Sequence, residues 1–218
     1  MTGTPLLLAF DTSAAHCTAA LLSGNQVLAS AHEDMTKGQA ERLMLLLQEV
    51  LEAGGAGYRD LTAMAVGTGP GNFTGIRISV SAARGLALGL GIPAIGVSVL
   101  QAQAFGTAGA VLSCVDARRD SVYLQGFGYR PTDGPEQHAL DVLPDTARHP
   151  DLSVIGGRSD IVSQKLNARA TAPAYPLAEA MARVAATRLD TPQPRPKPLY
   201  IRPADAAPPR DPAPVILP

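Results

Sequence analysis

The nine residues Gly67-Thr-Gly-Pro-Gly-Asn-Phe-Thr-Gly75 decide the fold class. They follow an apolar run, Ala63 to Val66, that predicts a strand, and they lead into a helical pattern from about Ile76 to Leu90. A strand, a glycine-rich turn and a helix in succession form the basic unit of an α/β protein. Such a turn presents backbone N–H groups at the positive end of a helix, which suits phosphate or another anion. The alternative is that glycine and proline only permit a tight strand-to-helix crossing.

The polar end of the first predicted strand is a second candidate site. The continuous apolar run Leu6 to Phe10 is typical of a strand buried on both faces, and it ends in Asp11-Thr12-Ser13. Asp11 could hold a magnesium-bound phosphate, or it could cap a turn at the end of the strand. The predicted cofactor-binding residues, for a phosphate or another anion, are Asp11, Thr12, Gly69, Gly71 and Thr74.

The two halves of the chain share one order of elements. In each half an apolar strand ends at an aspartate, Asp11 or Asp116, and a hairpin partner, a later strand, glycines and a helix follow. This repeat predicts two α/β domains that face each other across a cleft, although any α/β protein that repeats such units gives a similar pattern. The other predicted strands are 18–22, 27–31, 94–97, 110–115, 121–127 and 152–155, and the other predicted helices are 39–53, 99–105, 159–167 and 177–188.

The predicted domain boundary lies near Gly106 to Gly109. Residues 1–106 would form the N-terminal domain and residues 107–202 the C-terminal domain, with the helix Leu177 to Arg188 packing back across the boundary. Ten of the 19 prolines lie from position 191 onward, which predicts an extended end. Residues 203–218 are interpreted as a dispensable proline-rich tail, and Leu199-Tyr200-Ile201 as a candidate anchor.

The charge balance excludes a strongly basic scaffold. The 218 residues carry 18 Lys and Arg against 19 Asp and Glu, which gives a formal net charge of −1. A protein that binds nucleic acid by charge alone is therefore disfavoured, because phosphate binding needs a surplus of cations. The near-apolar stretch Val80 to Leu90 is too short for a membrane span, and the first residues lack the basic region of a signal peptide. We expect a cytoplasmic protein without a membrane segment.

The titratable residues predict no catalytic set and no metal site. Cys17 and Cys114 show no CxxC spacing, and their neighbours do not suggest an activated thiolate. The four histidines form no HxxxH or HExxH pair, and no Gly-x-Ser-x-Gly nucleophile elbow is present. Solvated or singly hydrogen-bonded histidines are therefore expected.

Two predicted helices carry more apolar or small residues than one buried face requires. On helix 39–53 the apolar residues span an arc of about 160°, against about 100° for a single buried stripe. Leu45 lies outside that arc among charged residues, where a lone exposed leucine is also ordinary. On the next helix small residues recur every four positions, which permits close packing inside the domain or against a partner. The predicted partner-interface residues are Leu43, Leu45, Leu47, Ser81, Gly85 and Gly89.

Several stretches of the chain closely resemble the TsaB (YeaZ) family. They are Leu8 to Ser13, Gly67 to Arg77, Gly85 to Pro93, Gly96 to Ser98 and Pro198 to Arg202. The glycine loop followed by the helix and Gly-Ile-Pro is highly specific to that family, whereas Asp-Thr-Ser is shared by the whole actin-like ATPase superfamily. The resemblance covers the N-terminal half well and the second half through short motifs only.

The resemblance implies two tandem actin-like (ribonuclease H-like, ASKHA) domains and a role in making threonylcarbamoyladenosine beside the anticodon of tRNAs that read codons starting with A. A TsaB protein looks like a catalytically degenerate relative of TsaD, which carries the metal and the transfer chemistry, while TsaC makes threonylcarbamoyl-adenylate. The implied partners are TsaD, paired through the first two helices, and the ATPase TsaE, with tRNA reached only through the complex. A homodimer of the isolated chain and an adenine nucleotide at the complex interface are also implied. Family members often carry His-Ser-Glu where this chain has Gln39-Ala40-Glu41, so we expect no histidine role there.

The sequence therefore predicts a non-catalytic subunit that docks a catalytic homologue through helices 39–53 and 74–90. The alternative is an enzyme of its own, either a small-molecule kinase of actin-like fold or a metallopeptidase-like enzyme. A kinase should show a catalytic acid at the cleft, whereas Asp116 is followed by the electropositive turn Ala117-Arg118-Arg119. A peptidase should show suitably spaced metal ligands, and none is found in the sequence.

Overall fold

The computed structural model describes residues 3–129, 134–145 and 149–201, so the predicted tail 203–218 lies outside the described residues. The strands form two five-stranded sheets. The strands are β1 Leu6–Asp11, β2 His16–Ser23, β3 Gln26–Asp34, β4 Ala63–Gly67, β5 Ala94–Val97, β6 Val111–Arg118, β7 Ser121–Phe127, β8 Glu136–Ala139, β9 Ser153–Gly156 and β10 Arg169–Ala170. The helices are α1 Gln39–Ala53, α2 Phe73–Leu90, α3 Val99–Ala104, α4 Ser159–Leu166 and α5 Leu177–Ala186, with a 3-10 turn at Tyr58–Asp60.

The first sheet has the order β3-β2-β1-β4-β5. Strand β1 pairs antiparallel with β2 and parallel with β4, and β4 pairs parallel with β5. Leu8 and Phe10 of β1 pack against α1 and α2 on one face, while Leu7 and Ala9 pack against α5 on the other. The prediction of a first strand buried on both faces is confirmed, because helices cover both sides of the sheet.

The second sheet repeats this pairing with the order β10-β9-β6-β7-β8. Strand β6 pairs antiparallel with β7 and parallel with β9. Helix α4 covers one face through Val162 and Leu166, and α3 reaches the other face through Ala104. Strand β6 runs past Asp116, where its end was predicted, because Arg118 still pairs with the first residue of β7. Two α/β units with equivalent pairing confirm the predicted fold class.

Helix α5 connects the two halves of the chain. It lies in the second half of the sequence, yet Ala180 and Met181 are fully buried against the first sheet beside Leu7 and Ala9. The predicted return of this helix across the boundary is confirmed, although α5 ends at Ala186. The core of the N-terminal unit therefore depends on residues far beyond position 106.

Side-chain caps set the starts of α2 and α3. The Asn72 Oδ1 atom accepts hydrogen bonds from the backbone N–H groups of Thr74 at 3.0 Å and Gly75 at 3.3 Å. Helix α2 consequently begins three residues earlier than the apolar spacing predicts. The Ser98 Oγ atom accepts from the N–H of Gln101 at 3.0 Å, which confirms the predicted cap of α3. Within the described ranges, no helix combines the length and hydropathy that a bilayer span requires.

Residues 191–201, here called the C-terminal segment, lie against the N-terminal unit. Pro196 is buried, and its Cβ lies 3.5 Å from the position that a Cβ on Gly96 would occupy. The Leu199 N–H donates to the carbonyl oxygen of Thr68 at 2.8 Å. The predicted anchor is therefore fastened to the glycine loop by a backbone hydrogen bond.

The Tyr200 ring completes this anchor. It stacks on Phe73 with ring centroids 5.3 Å apart, and its hydroxyl accepts a 2.8 Å hydrogen bond from Arg77 Nε. The Arg77 guanidinium in turn lies 3.7 Å from the centroid of the Phe73 ring. The C-terminal segment is thereby attached to the first turns of α2.

Truncation after Pro198 is expected to lower the melting temperature by about 4–8 °C. It removes the Leu199 hydrogen bond and the Tyr200 contacts, which together contribute about 2 kcal/mol. Truncation after Pro203 is the matched control and should change the melting temperature by no more than a degree or two. Thermal melts of the two truncated chains measure the difference, and equal melting temperatures would contradict the anchor.

Candidate functional site: the glycine loop and an exposed helix face

The glycine loop, residues 67–75, packs directly against the turn that follows β1. The Asn72 N–H donates to the Ser13 carbonyl oxygen at 2.6 Å. The Thr12 hydroxyl donates to the Gly75 carbonyl oxygen at 2.7 Å. The two predicted candidate sites are therefore brought together at the carboxyl ends of the parallel strands β1 and β4, where α/β proteins commonly place their sites.

Glycine is required at three positions of this contact. A Cβ on Gly67 would lie 1.8 Å from Asp11 Oδ2, one on Gly71 would lie 2.3 Å from the Ser13 carbonyl oxygen, and one on Gly75 would lie 1.9 Å from the Thr12 carbonyl oxygen. No real side chain fits at such distances, so Gly71 and Gly75 permit the close approach of two backbone turns and Gly67 leaves room for the Asp11 carboxylate. The tight-crossing alternative from the sequence thus has direct structural support.

The backbone donors of the loop are largely bonded within the protein. Asn72 Oδ1 accepts from the N–H groups of Thr74 and Gly75, and the Asn72 carbonyl oxygen accepts from the next N–H, that of Ile76. The Gly69 carbonyl oxygen accepts from a residue at the start of α3. Because these first-turn groups already have partners, an anion at this helix end would have to displace the Asn72 cap. An adenine nucleotide at Gly69, Gly71 and Thr74 stays a prediction.

The Asp11 carboxylate is fully buried and only half satisfied. Its Oδ1 atom accepts from the Ser13 N–H at 3.0 Å and the Ser13 hydroxyl at 2.7 Å, and lies 2.7 Å from His16 Nε2. Its Oδ2 atom has no hydrogen-bond partner among the described residues and faces Gly67. A buried, unpaired carboxylate oxygen is costly, so this atom is suited to accept one further donor or a cation. Within the described ranges, no three His, Cys, Asp or Glu side chains converge as a metal-binding group.

The equivalent aspartate of the second unit has different surroundings. The Asp116 side chain is about half exposed, and its Oδ1 atom accepts from the Arg118 N–H at 2.8 Å. The Arg158 guanidinium lies 3.8 Å from its Oδ2 atom. The two strand-end aspartates are therefore related by topology, but only Asp11 is held in a buried polar cluster.

Both cysteine thiols are buried, and burial raises the pKa of each. Desolvation raises the pKa of Cys17 to about 11, with a smaller contribution from the negative charge of Glu33. Desolvation likewise raises the pKa of Cys114 to about 12. Both thiols are protonated at neutral pH, which agrees with the prediction that neither is an activated nucleophile.

Two of the predicted interface residues on α1 are buried instead of exposed. Leu43 and Leu47 are 1 % and 0 % exposed, because they pack in the core beneath α1. These two residues were wrongly predicted to contact a partner. Leu45 is 60 % exposed and Met44 is 42 % exposed, so the predicted position of Leu45 outside the buried arc is confirmed.

The small-residue column of α2 faces outward. Ser81, Gly85 and Gly89 are all exposed, and a Cβ on either glycine would meet nothing within 4 Å. Packing inside the domain therefore does not explain these glycines. Leu88 lies on the same side and is 79 % exposed, the highest value among the large apolar residues of the described chain.

The exposed apolar and small residues of the neighbouring helices α1 and α2 are here called the helix patch. Both helices cover the same face of the first sheet and contact each other there. Sequence reasoning missed Met44 and Leu88, although a helical wheel of α2 places Leu88 near Gly85. The helix patch consists of Met44, Leu45, Ser81, Gly85, Leu88 and Gly89.

The family relationship follows from comparison with known proteins. The family model of TsaD, described as tRNA N6-adenosine threonylcarbamoyltransferase, matches residues 26–140, just over half of the chain. The tRNA threonylcarbamoyladenosine biosynthesis protein TsaB of Escherichia coli K12 is 39% identical over 123 residues, which cover 54% of this chain and 52% of that protein. A structure of YeaZ from Pseudomonas aeruginosa superposes with a TM-score of 0.73 at 25% identity and covers 90% of this chain and 99% of that chain. This chain belongs to the TsaB (YeaZ) family.

Two further similarities are to an uncharacterized relative and to a protein of similar fold. An uncharacterized protein of Mycobacterium bovis is 35% identical over 154 residues, which cover 69% of this chain and 71% of that protein. Component A of (R)-2-hydroxyglutaryl-CoA dehydratase from Acidaminococcus fermentans has 10% identity and a TM-score of 0.56, and supports the actin-like ATPase fold alone. The aligned part of this chain spans about half the length of the E. coli TsaB protein.

Proposed function

We propose that this chain is a non-catalytic subunit in the biosynthesis of threonylcarbamoyladenosine in tRNA. The helix patch docks a TsaD-like, metal-bearing homologue, a TsaE-like ATPase joins the pair, and tRNA is reached only through the complex. The main support for the proposal is the exposure of Leu45 and Leu88 on adjacent helices. Space is also free beside Gly85, where a Cβ would meet nothing within 4 Å. Membership in the TsaB family is the basis for proposing this biosynthetic pathway.

The helix patch has the composition of a docking surface. Burial of an exposed leucine contributes about 1.5–3 kcal/mol, so Leu45 and Leu88 together can stabilise a complex appreciably. Gly85 and Gly89 leave room for close approach of another backbone. Charged residues lie about one turn from Leu45 on α1, where Arg42 binds Glu33 and Glu49 at 2.5–2.8 Å and fastens α1 to β3. An apolar centre with a polar rim is the usual anatomy of an interface. In the absence of the homologue, the same patch supports a homodimer.

One observation favours a second candidate function. The unpartnered Oδ2 atom of Asp11, beside the glycine loop, is suited to a cation that would accompany an adenine nucleotide. This arrangement would support a small-molecule kinase of actin-like fold. Steady ATP turnover by the isolated chain that disappears in Asp11→Ala would establish this alternative.

Leu45→Glu is expected to weaken binding of the TsaD-like homologue about 10- to 100-fold while leaving the isolated chain folded. The charge would be desolvated at the centre of the interface, whereas in the free chain it stays in water. Titration calorimetry with the purified homologue measures the dissociation constant, and a thermal melt measures the stability. Val142→Glu, an equally drastic change at an exposed residue of the second unit, is the matched control and should bind normally. Equal losses of melting temperature and binding in Leu45→Glu would contradict the docking proposal.

A further inference from the structure

A cavity of about 500 Å³ lies between α2 and the C-terminal segment. One wall is the last part of α2 and the turn into β5, including Leu88 and Ile92. The opposite wall is formed by the C-terminal segment, including Gln193 and Pro196. Its size is that of a pocket for a ligand or for side chains of a partner. Gly85 and Leu88 line the cavity and also belong to the helix patch, so the two surfaces are continuous.

Two arginines at this cavity have no acidic partner. Arg84 and Arg195 both line it and are exposed, and neither guanidinium group makes a hydrogen bond or ion pair with any described residue. Other arginines of the described chain are engaged, such as Arg42 with two glutamates and Arg183 with Glu179. Helix α2 and the C-terminal segment together carry four cations and no carboxylate, in a chain whose net charge is −1. The cavity therefore combines an apolar floor with a positively charged rim.

The wall formed by the C-terminal segment is held in place from both ends. The Arg188 guanidinium donates to the Gly96 carbonyl oxygen at 3.1 Å and to Gln101 Oε1 at 2.6 Å. Beyond the cavity, the Leu199 N–H donates to the Thr68 carbonyl oxygen at 2.8 Å. A wall that is ordered before binding reduces the entropic cost of association.

We propose that this cavity receives an apolar side chain of the TsaD-like homologue between Leu88 and Pro196, with a carboxylate of the homologue beside Arg84 and Arg195. The inference rests on the proposed function and adds the C-terminal segment to the docking surface. The charge of the rim selects an acidic partner, and the apolar floor selects a protein side chain over a phosphate backbone, which would leave that floor uncovered. The proline-rich segment thereby has a binding role.

The test is charge reversal at the rim. Arg84→Glu and Arg195→Glu are each expected to weaken binding of the purified TsaD-like homologue by about tenfold or more. Each change would place a glutamate carboxylate beside the carboxylate of the homologue, and the two charges repel each other. Arg119→Glu, at the exposed turn between β6 and β7, is the matched control and should bind within about twofold of the wild-type chain. Gln193→Trp, which fills the cavity without a change of charge, should also weaken binding. Thermal melts of all four variants verify folding.

The outcomes separate this inference from the proposed function. If Leu45→Glu weakens binding while the two reversals and Gln193→Trp bind like the wild-type chain, the cavity is not part of the interface and the inference is wrong, although docking stands. If the wild-type chain does not bind the homologue at all, both are overturned. If the reversals spare the homologue but abolish binding of an anticodon stem-loop RNA, the surface serves nucleic acid and the inference is equally wrong.

Discussion

Gly75→Ala is expected to destabilise the chain by about 4 kcal/mol and to lower its melting temperature by about 10 °C or more. The added methyl carbon would lie 1.9 Å from the Thr12 carbonyl oxygen, and that atom belongs to a buried backbone turn that cannot move aside cheaply. The same movement would break the hydrogen bond between the Thr12 hydroxyl and the Gly75 carbonyl oxygen. Differential scanning calorimetry measures the change.

Gly85→Ala is the matched control within the same helix. A Cβ at Gly85 meets nothing within 4 Å, so the isolated chain should gain up to about 1 kcal/mol from the better helix propensity of alanine. The larger change Gly85→Leu should likewise leave the fold intact but obstruct docking at the helix patch. If Gly75→Ala and Gly85→Ala had the same melting temperature, the account of the glycine loop as a close crossing of two turns would be contradicted.

The architecture could be predicted because buried strands and amphipathic helices leave distinct periodicities. The continuous apolar run of β1 predicted burial on both faces, and helices on both sides of the sheet confirm it. The glycine-rich stretch predicted a strand-to-helix turn, and also a stretch of backbone that requires residues without side chains. Its spacing could not separate anion binding from a close crossing, because both need residues without side chains. That separation required the positions of Thr12 and Ser13, which are distant in sequence.

The exposure of Leu45 agrees with its predicted place at the surface, whereas the burial of Leu43 and Leu47 does not, and contact between Leu45 and a partner stays a prediction. A helical wheel gives the width of an apolar arc, but it does not show how much of that arc the sheet covers. The face over β1 and β2 is wide enough to bury both Leu43 and Leu47, which leaves Met44 and Leu45 at the surface. The cavity beside Arg84 could not be found from local sequence, because its second wall comes from residues more than 100 positions away.

Omission of this chain from a reconstituted modification reaction is expected to abolish formation of threonylcarbamoyladenosine. The complete reaction contains this chain, the TsaD-like homologue, the TsaE-like ATPase, a TsaC-like adenylate-forming enzyme, tRNA, threonine, bicarbonate, magnesium and ATP. The reason is structural, since the proposed role of the chain is to dock the catalytic homologue through the helix patch.

Mass spectrometry of nucleosides from the digested tRNA, with one component omitted at a time, tests this claim most directly. The modified nucleoside is expected only when this chain and the TsaD-like homologue are both present, and none is expected when this chain is supplied with the adenylate-forming enzyme alone. Modification that persists without this chain would contradict an essential subunit role. Modification by this chain without the homologue would contradict its assignment as a non-catalytic partner.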